Sequence, residues 1–157
     1  MARGTPATQV LTKAGISFGL VEYDYDPGGE RVGLQAAEAM QMDPARVFKT
    51  LMIEVDGKAC CAVLPSDAEV DMKAMAALCE GKSARMIRPE TAERMTGYKV
   101  GGISPLGQRK PVPCILEDAA RLHDTIFVNG GRRGLQIEIA PRDLVNVLGC
   151  RFARFAR

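Results

Sequence analysis

Residues 47–65, VFKTLMIEVDGKACCAVLP, hold the pattern that decides the fold. VFKTLMIEV (47–55) and KACCAVLP (58–65) are two runs of strand-forming residues. The Asp56-Gly57 pair between them supplies the positive φ angles of a tight hairpin turn. A hairpin means antiparallel pairing, which argues against a doubly wound, all-parallel sheet. Around it, helices and further strands alternate. Thr5-Pro6 caps and opens a helix that ends at Gly15, and FGLVEY (18–23) reads as a strand followed by a loop at YDPGGE (25–30). Residues 33–42 form a short Ala- and Met-rich helix, and Asp43-Pro44 makes a brief turn. Residues 71–80 are helical up to Gly81, and Pro89 opens a helix that stops at Gly97. CILED (114–118), TIFVN (125–129) and LQIEIA (135–140) are strands, the last two joined across NGGRRG, and Pro141 opens a final helix ending at Gly149 before a basic tail. The expected fold class is mixed α/β.

The 157 residues fit one domain, and 46% hydrophobic with 25% charged residues is ordinary globular composition. No apolar run approaches the ~18 residues of a membrane span, and MARGTPATQV lacks the apolar core of a secretory signal, so a cytoplasmic location is expected, with no membrane partner. Five cysteines without C-x-x-C spacing and a single histidine make a zinc site hard to build, so no metal or other cofactor is expected. In a strand, the vicinal Cys60 and Cys61 project to opposite faces. The net charge of +2 is unevenly spread: residues 1–78 carry −4 and residues 79–157 carry +6. A basic C-terminal half suits a polyanionic partner.

Lys49 is the most informative single residue. Alternation along 47–55 puts it in a row with Val47, Leu51, Ile53 and Val55, whereas Phe48, Thr50, Met52 and Glu54 take the other face. A lysine in an apolar row either lines a pocket, where it grips an anionic or carbonyl oxygen, or snorkels from a strand edge. Residues 97–113, GYKVGGISPLGQRKPVP, hold four glycines and three prolines in 17 positions, too many for regular structure, and read as a shaped functional loop. Gly101 and Gly102 admit close backbone approach to a ligand, and their N–H groups are candidates to face an oxyanion. Gly102 and Gly107 have phosphate-loop spacing, but Gln108 and Arg109 replace the Lys and Ser/Thr it needs. A small-molecule hydrolase working through Ser104 and His123 is a competing reading, but Ser104 lacks the second glycine of a nucleophile elbow and is followed by Pro105, and His123 sits in a polar linker. Arg132 and Arg133 at the tip of NGGRRG are candidates to meet phosphates. The pattern describes a site that positions and polarises its substrate without a conventional nucleophile.

FKTL (48–51), TGYKVGGISPLGQRK (96–110) and VNGGRRGL (128–135) resemble the signature segments of the YbaK/EbsC family, most closely its free-standing bacterial Cys-tRNA(Pro) deacylases. VEYDYDP, DPARVFKTL and APRDLVNVLG fall in family order as well, so the likeness spans nearly the whole chain, residues 1–157. It implies a mixed α/β domain around a barrel-like β core and the trans-editing of tRNA(Pro) mischarged with cysteine. The partners it implies are that tRNA and prolyl-tRNA synthetase, with no role for DNA. The resemblance makes Lys49 the catalytic residue and places Tyr23, Thr50, Gly101, Gly102, Ile103, Ser104, Asn129, Gly130 and Gly131 at the substrate. Arg109, Lys110, Arg132 and Arg133 are the expected tRNA contacts. It also implies substrate-assisted cleavage, in which the cysteinyl thiol attacks its own ester. Three residues depart from the family pattern: Asn129 where many members have serine, Gln136 where some have an acidic residue, and Tyr25 in place of a common histidine. They leave alanyl-tRNA(Pro) open as an alternative substrate, beside a non-catalytic tRNA- or synthetase-binding module.

Overall fold

The hairpin forms as its sequence requires: β2 (Phe48–Val55) and β3 (Lys58–Pro65) pair antiparallel, and Asp56 (φ +49°) and Gly57 (φ +84°) make the turn. The computed structural model describes residues 4–26 and 32–157. Part of the loop expected over 25–30 therefore lies outside the described residues. In chain order the other elements are α1 (Pro6–Lys13), β1 (Gly19–Glu22), α2 (Val32–Ala39), α3 (Met72–Leu78), β4 (Ala84–Met86), α4 (Pro89–Thr96), β5 (Cys114–Glu117), β6 (Ile126–Asn129), β7 (Leu135–Ile139), α5 (Pro141–Leu148) and β8 (Arg151–Ala153). Short 3₁₀ turns occupy Pro44–Arg46 and Asp118–Leu122.

Local chemistry fixes most of these boundaries. In α1, Thr5 and Thr8 form a reciprocal capping box, and the Thr5 hydroxyl also donates to the Gly130 carbonyl, tying the helix to the β6–β7 turn. Asp71 caps α3 through the Ala74 N–H at 3.1 Å. Gly97 (φ +81°) and Gly149 (φ +64°) end α4 and α5 in the left-handed conformation. Helix α3 ends earlier than Gly81, at Cys79, because Glu80 (φ +57°) already leaves the helical region.

The described strands form two sheets. One has the order β1-β7-β6 and is wholly antiparallel; the other has the order β4-β2-β3-β5-β8, with β3-β5 and β5-β8 parallel. The mixed α/β class is as expected, but the sheets do not close into a barrel. A single parallel bridge, Val47 to Phe127, joins them. The hairpin is apolar on both faces because both are covered. Phe48, Met52 and Cys61 pack with Leu116, Val128 and Ile137, while Ile53, Val55 and Cys60 pack with Leu64, Met75 and Phe155 on the other side. Each such side chain fully buried contributes roughly 1.5–3 kcal/mol of transfer free energy.

The C-terminal basic tail is not a free tail. Its first part is β8, and the buried Glu117 carboxylate accepts hydrogen bonds from the Phe155 and Ala156 N–H groups at 3.0 and 3.1 Å. Reciprocal main-chain hydrogen bonds between Glu69 and Arg157 then carry the chain to the edge of a large cleft.

Candidate functional site

Val47, just before β2, bridges to Phe127 of β6, and β2 is joined by β4 only from Ile53 onward. Between these points its outer edge has no strand neighbour among the described residues, and a cleft of about 810 Å³ opens there. Val55 and Lys58 flank a two-residue turn, so the odd-numbered residues of β2 exchange main-chain hydrogen bonds with β3. The even-numbered residues direct theirs outward; the Met52 carbonyl accepts from the Ile87 N–H at 3.0 Å. By the same alternation the N–H and C=O of Thr50 face the open cleft.

Lys49 lines this cleft, half-buried, and its Nζ makes a long hydrogen bond (3.5 Å) to the Ser66 carbonyl. It is therefore a pocket residue within the apolar row, not a snorkelling one. Thr50, Gly101, Ile103 and Asn129 line the same space. Asn129 joins the two glycine-rich segments. Its Nδ2 donates to the Gly101 carbonyl at 3.1 Å, and its Oδ1 accepts from the Gly131 N–H at 2.8 Å. Gly101 has φ +92°, and a Cβ there would sit 2.8 Å from the Tyr25 hydroxyl oxygen, so only glycine fits without displacement.

The remaining expected residues stand behind the lining or outside the cleft. Gly102 is buried, a Cβ on it would meet the Arg133 backbone nitrogen at 2.8 Å, and its N–H donates to the Lys99 carbonyl at 2.8 Å. That N–H is thus committed to the loop and not presented to an oxyanion. Gly130 accepts from Thr5, and Gly131 packs on Tyr98 and Thr5. Ser104 is fully buried, accepts from the Leu106 N–H, and does not line the cleft. His123 follows the 3₁₀ turn after β5 and is also absent from the cleft wall, so the structure does not bring the two together at this site. Arg109 and Lys110 are exposed. Arg132 pairs with Glu22 at 3.1 Å, and Arg133 stacks on Tyr25 while donating to the Val100 carbonyl at 2.9 Å. Both arginines stay exposed but already have partners in the fold.

Three buried side-chain atoms lack hydrogen-bond partners among the described residues: Tyr23 Oη, Thr50 Oγ1 and Gln136 Oε1. Thr50 and Gln136 line the cleft. Gln136 is the register partner of Asn129 across β6–β7, and it lies beside the Tyr23 hydroxyl without closing a good hydrogen bond. Burial pushes the Tyr23 phenol above its ordinary pKa, with partial relief from Gln136, so it remains a protonated donor at neutral pH. Buried polar atoms are normally paired, and two unsatisfied ones in one cleft, with the Tyr23 hydroxyl beside Gln136, are groups that a polar ligand there would satisfy. Sequence reading treated Gln136 only as a departure from a family pattern and did not find Ser66, Met86 or Arg157 at the cleft. A buried glutamine between Leu135 and Ile137 gives no signal in the alternation, and the others arrive from distant segments.

The profile of the aminoacyl-tRNA editing domain matches residues 31–147. An Enterococcus faecalis protein named for Cys-tRNA(Pro)/Cys-tRNA(Cys) deacylase activity, EbsC, is 33% identical over 84% of this chain and 82% of its own. The proline–tRNA ligase of Geobacillus kaustophilus is 24% identical over 58% of this chain, which corresponds to only 16% of the ligase. A solved structure described as a trans-editing enzyme for prolyl-tRNA synthetase superposes with a TM-score of 0.85 at 21% identity, covering 99% of both chains. The chain belongs to the aminoacyl-tRNA editing domain family.

Proposed function

We propose that the protein deacylates tRNA(Pro) mischarged with cysteine, acting in trans. The observation that carries this reading is the placement of Lys49 beside Thr50, Asn129 and Gln136, in a cleft that no histidine or cysteine among the described residues lines. Such a site has cations and hydrogen-bonding groups to hold an ester, while the hydroxyl of its lining serine, Ser66, is already donated to the Pro44 carbonyl at 2.8 Å and no histidine stands beside it among the described residues. The substrate's own thiol fills that gap. Its sulfur attacks the ester carbonyl, an S–C bond forms, the acyl C–O bond to the ribose breaks, and the thiol proton passes to the departing oxygen. Water then opens the resulting thiolactone to free cysteine.

In this scheme Lys49 orients the aminoacyl group and stabilises the developing oxyanion, and the outward Thr50 N–H is placed to share that charge. Tyr23 and Gln136 complete the pocket wall around the aminoacyl head. Gly101, Ile103 and Asn129 set its depth, with Gly102, Ser104, Gly130 and Gly131 shaping the loops behind it. Exposed Arg109, Lys110, Arg132 and Arg133 meet tRNA phosphates, and the affinity they supply falls with salt. Similarity to EbsC and to part of proline–tRNA ligases supports cysteinyl-tRNA(Pro) as substrate, prolyl-tRNA synthetase as working partner and the cytoplasm as the place of action. Among the described residues, no helix is long and apolar enough to cross a membrane.

The test is the rate of deacylation of cysteinyl-, seryl- and alanyl-tRNA(Pro). Cysteinyl turnover with little seryl or alanyl turnover is expected. Equal rates on all three refute thiol assistance, and an alanyl preference moves the specificity to the smaller residue and points at Asn129.

A further inference from the structure

The five cysteines take no part in the proposed reaction, yet four of them gather in one place. A second pocket, of about 370 Å³, opens where β3, β5 and β8 begin, beside the end of α3, and Cys60, Cys79, Cys114 and Cys150 line it. Among the described residues it shares no lining with the cleft of Lys49. Strand register explains the gathering. Cys61 is the parallel partner of Cys114 across β3–β5, and Ile115 is the partner of Arg151 across β5–β8, so Cys150 stands level with Cys114. Level residues of neighbouring strands point to one face, which makes Cys61, Cys114 and Cys150 a row of three thiols. The Cys114 thiol hydrogen-bonds with both neighbours, and Cys60 on the other face does so with Cys79. Among the described residues no three of these thiols converge as a metal ion would need. They meet in pairs, and two touching thiols are the arrangement from which a disulfide forms.

We propose that Cys114 and Cys150 are a modification site: a thiol pair that an anionic small-molecule disulfide oxidises reversibly to a disulfide bond. Adjacent strands lie roughly 4.8 Å apart, inside the ~4.4–6.8 Å separation of Cα atoms that a disulfide spans. Cys61 is the less suitable partner for Cys114. It is buried in the core and off the pocket wall, whereas Cys114 and Cys150 are half-buried and reach the opening. Cys150 also precedes the first residue of β8, which leaves it more freedom to adopt disulfide geometry than Cys61 has inside β3. Charge selects the reagent. Lys58 and Arg151 are exposed at the pocket, and among the described residues no acidic one lines it, which favours an anionic disulfide over a cationic one.

The chemistry is two exchanges. The Cys150 sulfur, the less enclosed of the pair, gives its proton to solvent and attacks one sulfur of the reagent; an S–S bond forms and the other half leaves as a thiolate. Cys114 then loses its proton and attacks the Cys150 sulfur, which closes the protein disulfide and releases the second half. Two protein thiols give up two electrons and two protons, and the reagent becomes two thiols. The hydrogen bond with Cys114, and then burial, hold the Cys150 thiol above its ordinary pKa, so the exchange is slow at neutral pH and quickens in mild alkali.

The test incubates the protein with glutathione disulfide at about pH 8.5, where an ordinary thiol is half ionised. Intact mass, peptide maps made without reductant, and urea midpoints are read. The expected product has lost two hydrogens, carries no glutathione adduct, and joins the peptide of Cys114 to that of Cys150. A cross-link between positions 36 residues apart restricts the unfolded chain, so the midpoint is expected to rise by about 1–2 M and to return with dithiothreitol. Cationic cystamine is expected to react at least roughly threefold more slowly. Cys150→Ser is expected to show neither cross-link nor shift; the peptide map is read on the wild type, so it stands even if this variant folds poorly. A Cys60–Cys79 or Cys61–Cys114 bond in place of the expected one, an unresolved mixed disulfide, or thiols left free overturns the pair. Cystamine reacting as fast as glutathione disulfide overturns the anionic reagent.

Discussion

Replacing Asn129 by alanine removes a side chain that hydrogen-bonds both the glycine-rich loop at residue 101 and the turn at residue 131. Two hydrogen bonds disappear, to the Gly101 carbonyl (3.1 Å) and from the Gly131 N–H (2.8 Å), at a residue only 7% exposed. A buried neutral hydrogen bond contributes about 0.5–1.5 kcal/mol net, and stranding its partner costs more. The Gly101 carbonyl borders the cleft and can be rehydrated, so the total falls near the middle of the range, about 2 kcal/mol. For a domain of this size that lowers Tm by roughly 4–8 °C, or the urea midpoint by about 1 M with an m-value near 2 kcal/mol/M. The same change lets Gly101 drift away from Lys49. A displacement of an ångström in a positioning site costs on the order of 100-fold in rate, so kcat/KM for cysteinyl-tRNA(Pro) is expected to fall by about that factor. Asn129→Asp is a sharper control. It keeps the acceptor for Gly131 but sets a carboxylate against the Gly101 carbonyl, so its activity is expected to be no better than that of the alanine variant. A urea midpoint within 0.2 M of wild type and a kcat/KM within twofold, roughly the noise of such measurements, would refute the clamp.

Other outcomes follow from the same geometry. Gln136→Met removes a buried acceptor that has no partner, so urea unfolding is expected to show a gain of about 1 kcal/mol while deacylation falls; a loss of stability contradicts the unsatisfied state of Gln136 Oε1. Burial pushes the Tyr98 phenol up to about 12, above its unfolded value near 10, so the folded state holds its proton where the unfolded state has lost it. Stability is therefore flat with respect to this group below pH 10 and declines by roughly 2–3 kcal/mol as pH rises from 10 to 12. Tyr98→Phe should remove this part of the alkaline decline in urea midpoints and leave the parts due to Tyr23, Cys60, Cys114 and Cys150, whose pKa values are also raised, at a neutral-pH cost of about 1 kcal/mol for the bond to the Leu106 carbonyl. An unchanged alkaline slope rules this out.

The elements that announced themselves were those fixed by local chemistry. Asp56-Gly57, Thr5-Pro6, Gly97 and Gly149 each demand a backbone conformation, and each sits where it was expected. Strands β4 and β8 left no such mark. Three residues, Ala-Arg-Met or Arg-Phe-Ala, are too few to show a period, and they become strands only because β2 and β5 offer edges to pair with. The parallel pairings of β5 were equally invisible, since nothing in a four-residue run specifies partners 53 residues before it and 36 residues after it. At the site, Lys49 could be read because a charge in an apolar row is conspicuous. The fate of individual polar groups could not. Ser104 looks accessible in a glycine-rich loop, yet it is buried. The Gly102 N–H looks available, yet it closes a turn onto Lys99. Arg157 reaches the cleft only because Glu117 and Glu69 hold the last strand in place.

The most direct test of the central claim is single-turnover deacylation of cysteinyl- and prolyl-tRNA(Pro) by the wild type and by Lys49→Ala, with the variant's fold checked by circular dichroism. The account predicts that the wild type cleaves the cysteinyl ester and spares the prolyl ester, and that the folded variant loses cysteinyl cleavage by at least 100-fold, as expected when a group that stabilises the transition state is removed. Cysteinyl cleavage retained within a few-fold by folded Lys49→Ala would contradict it.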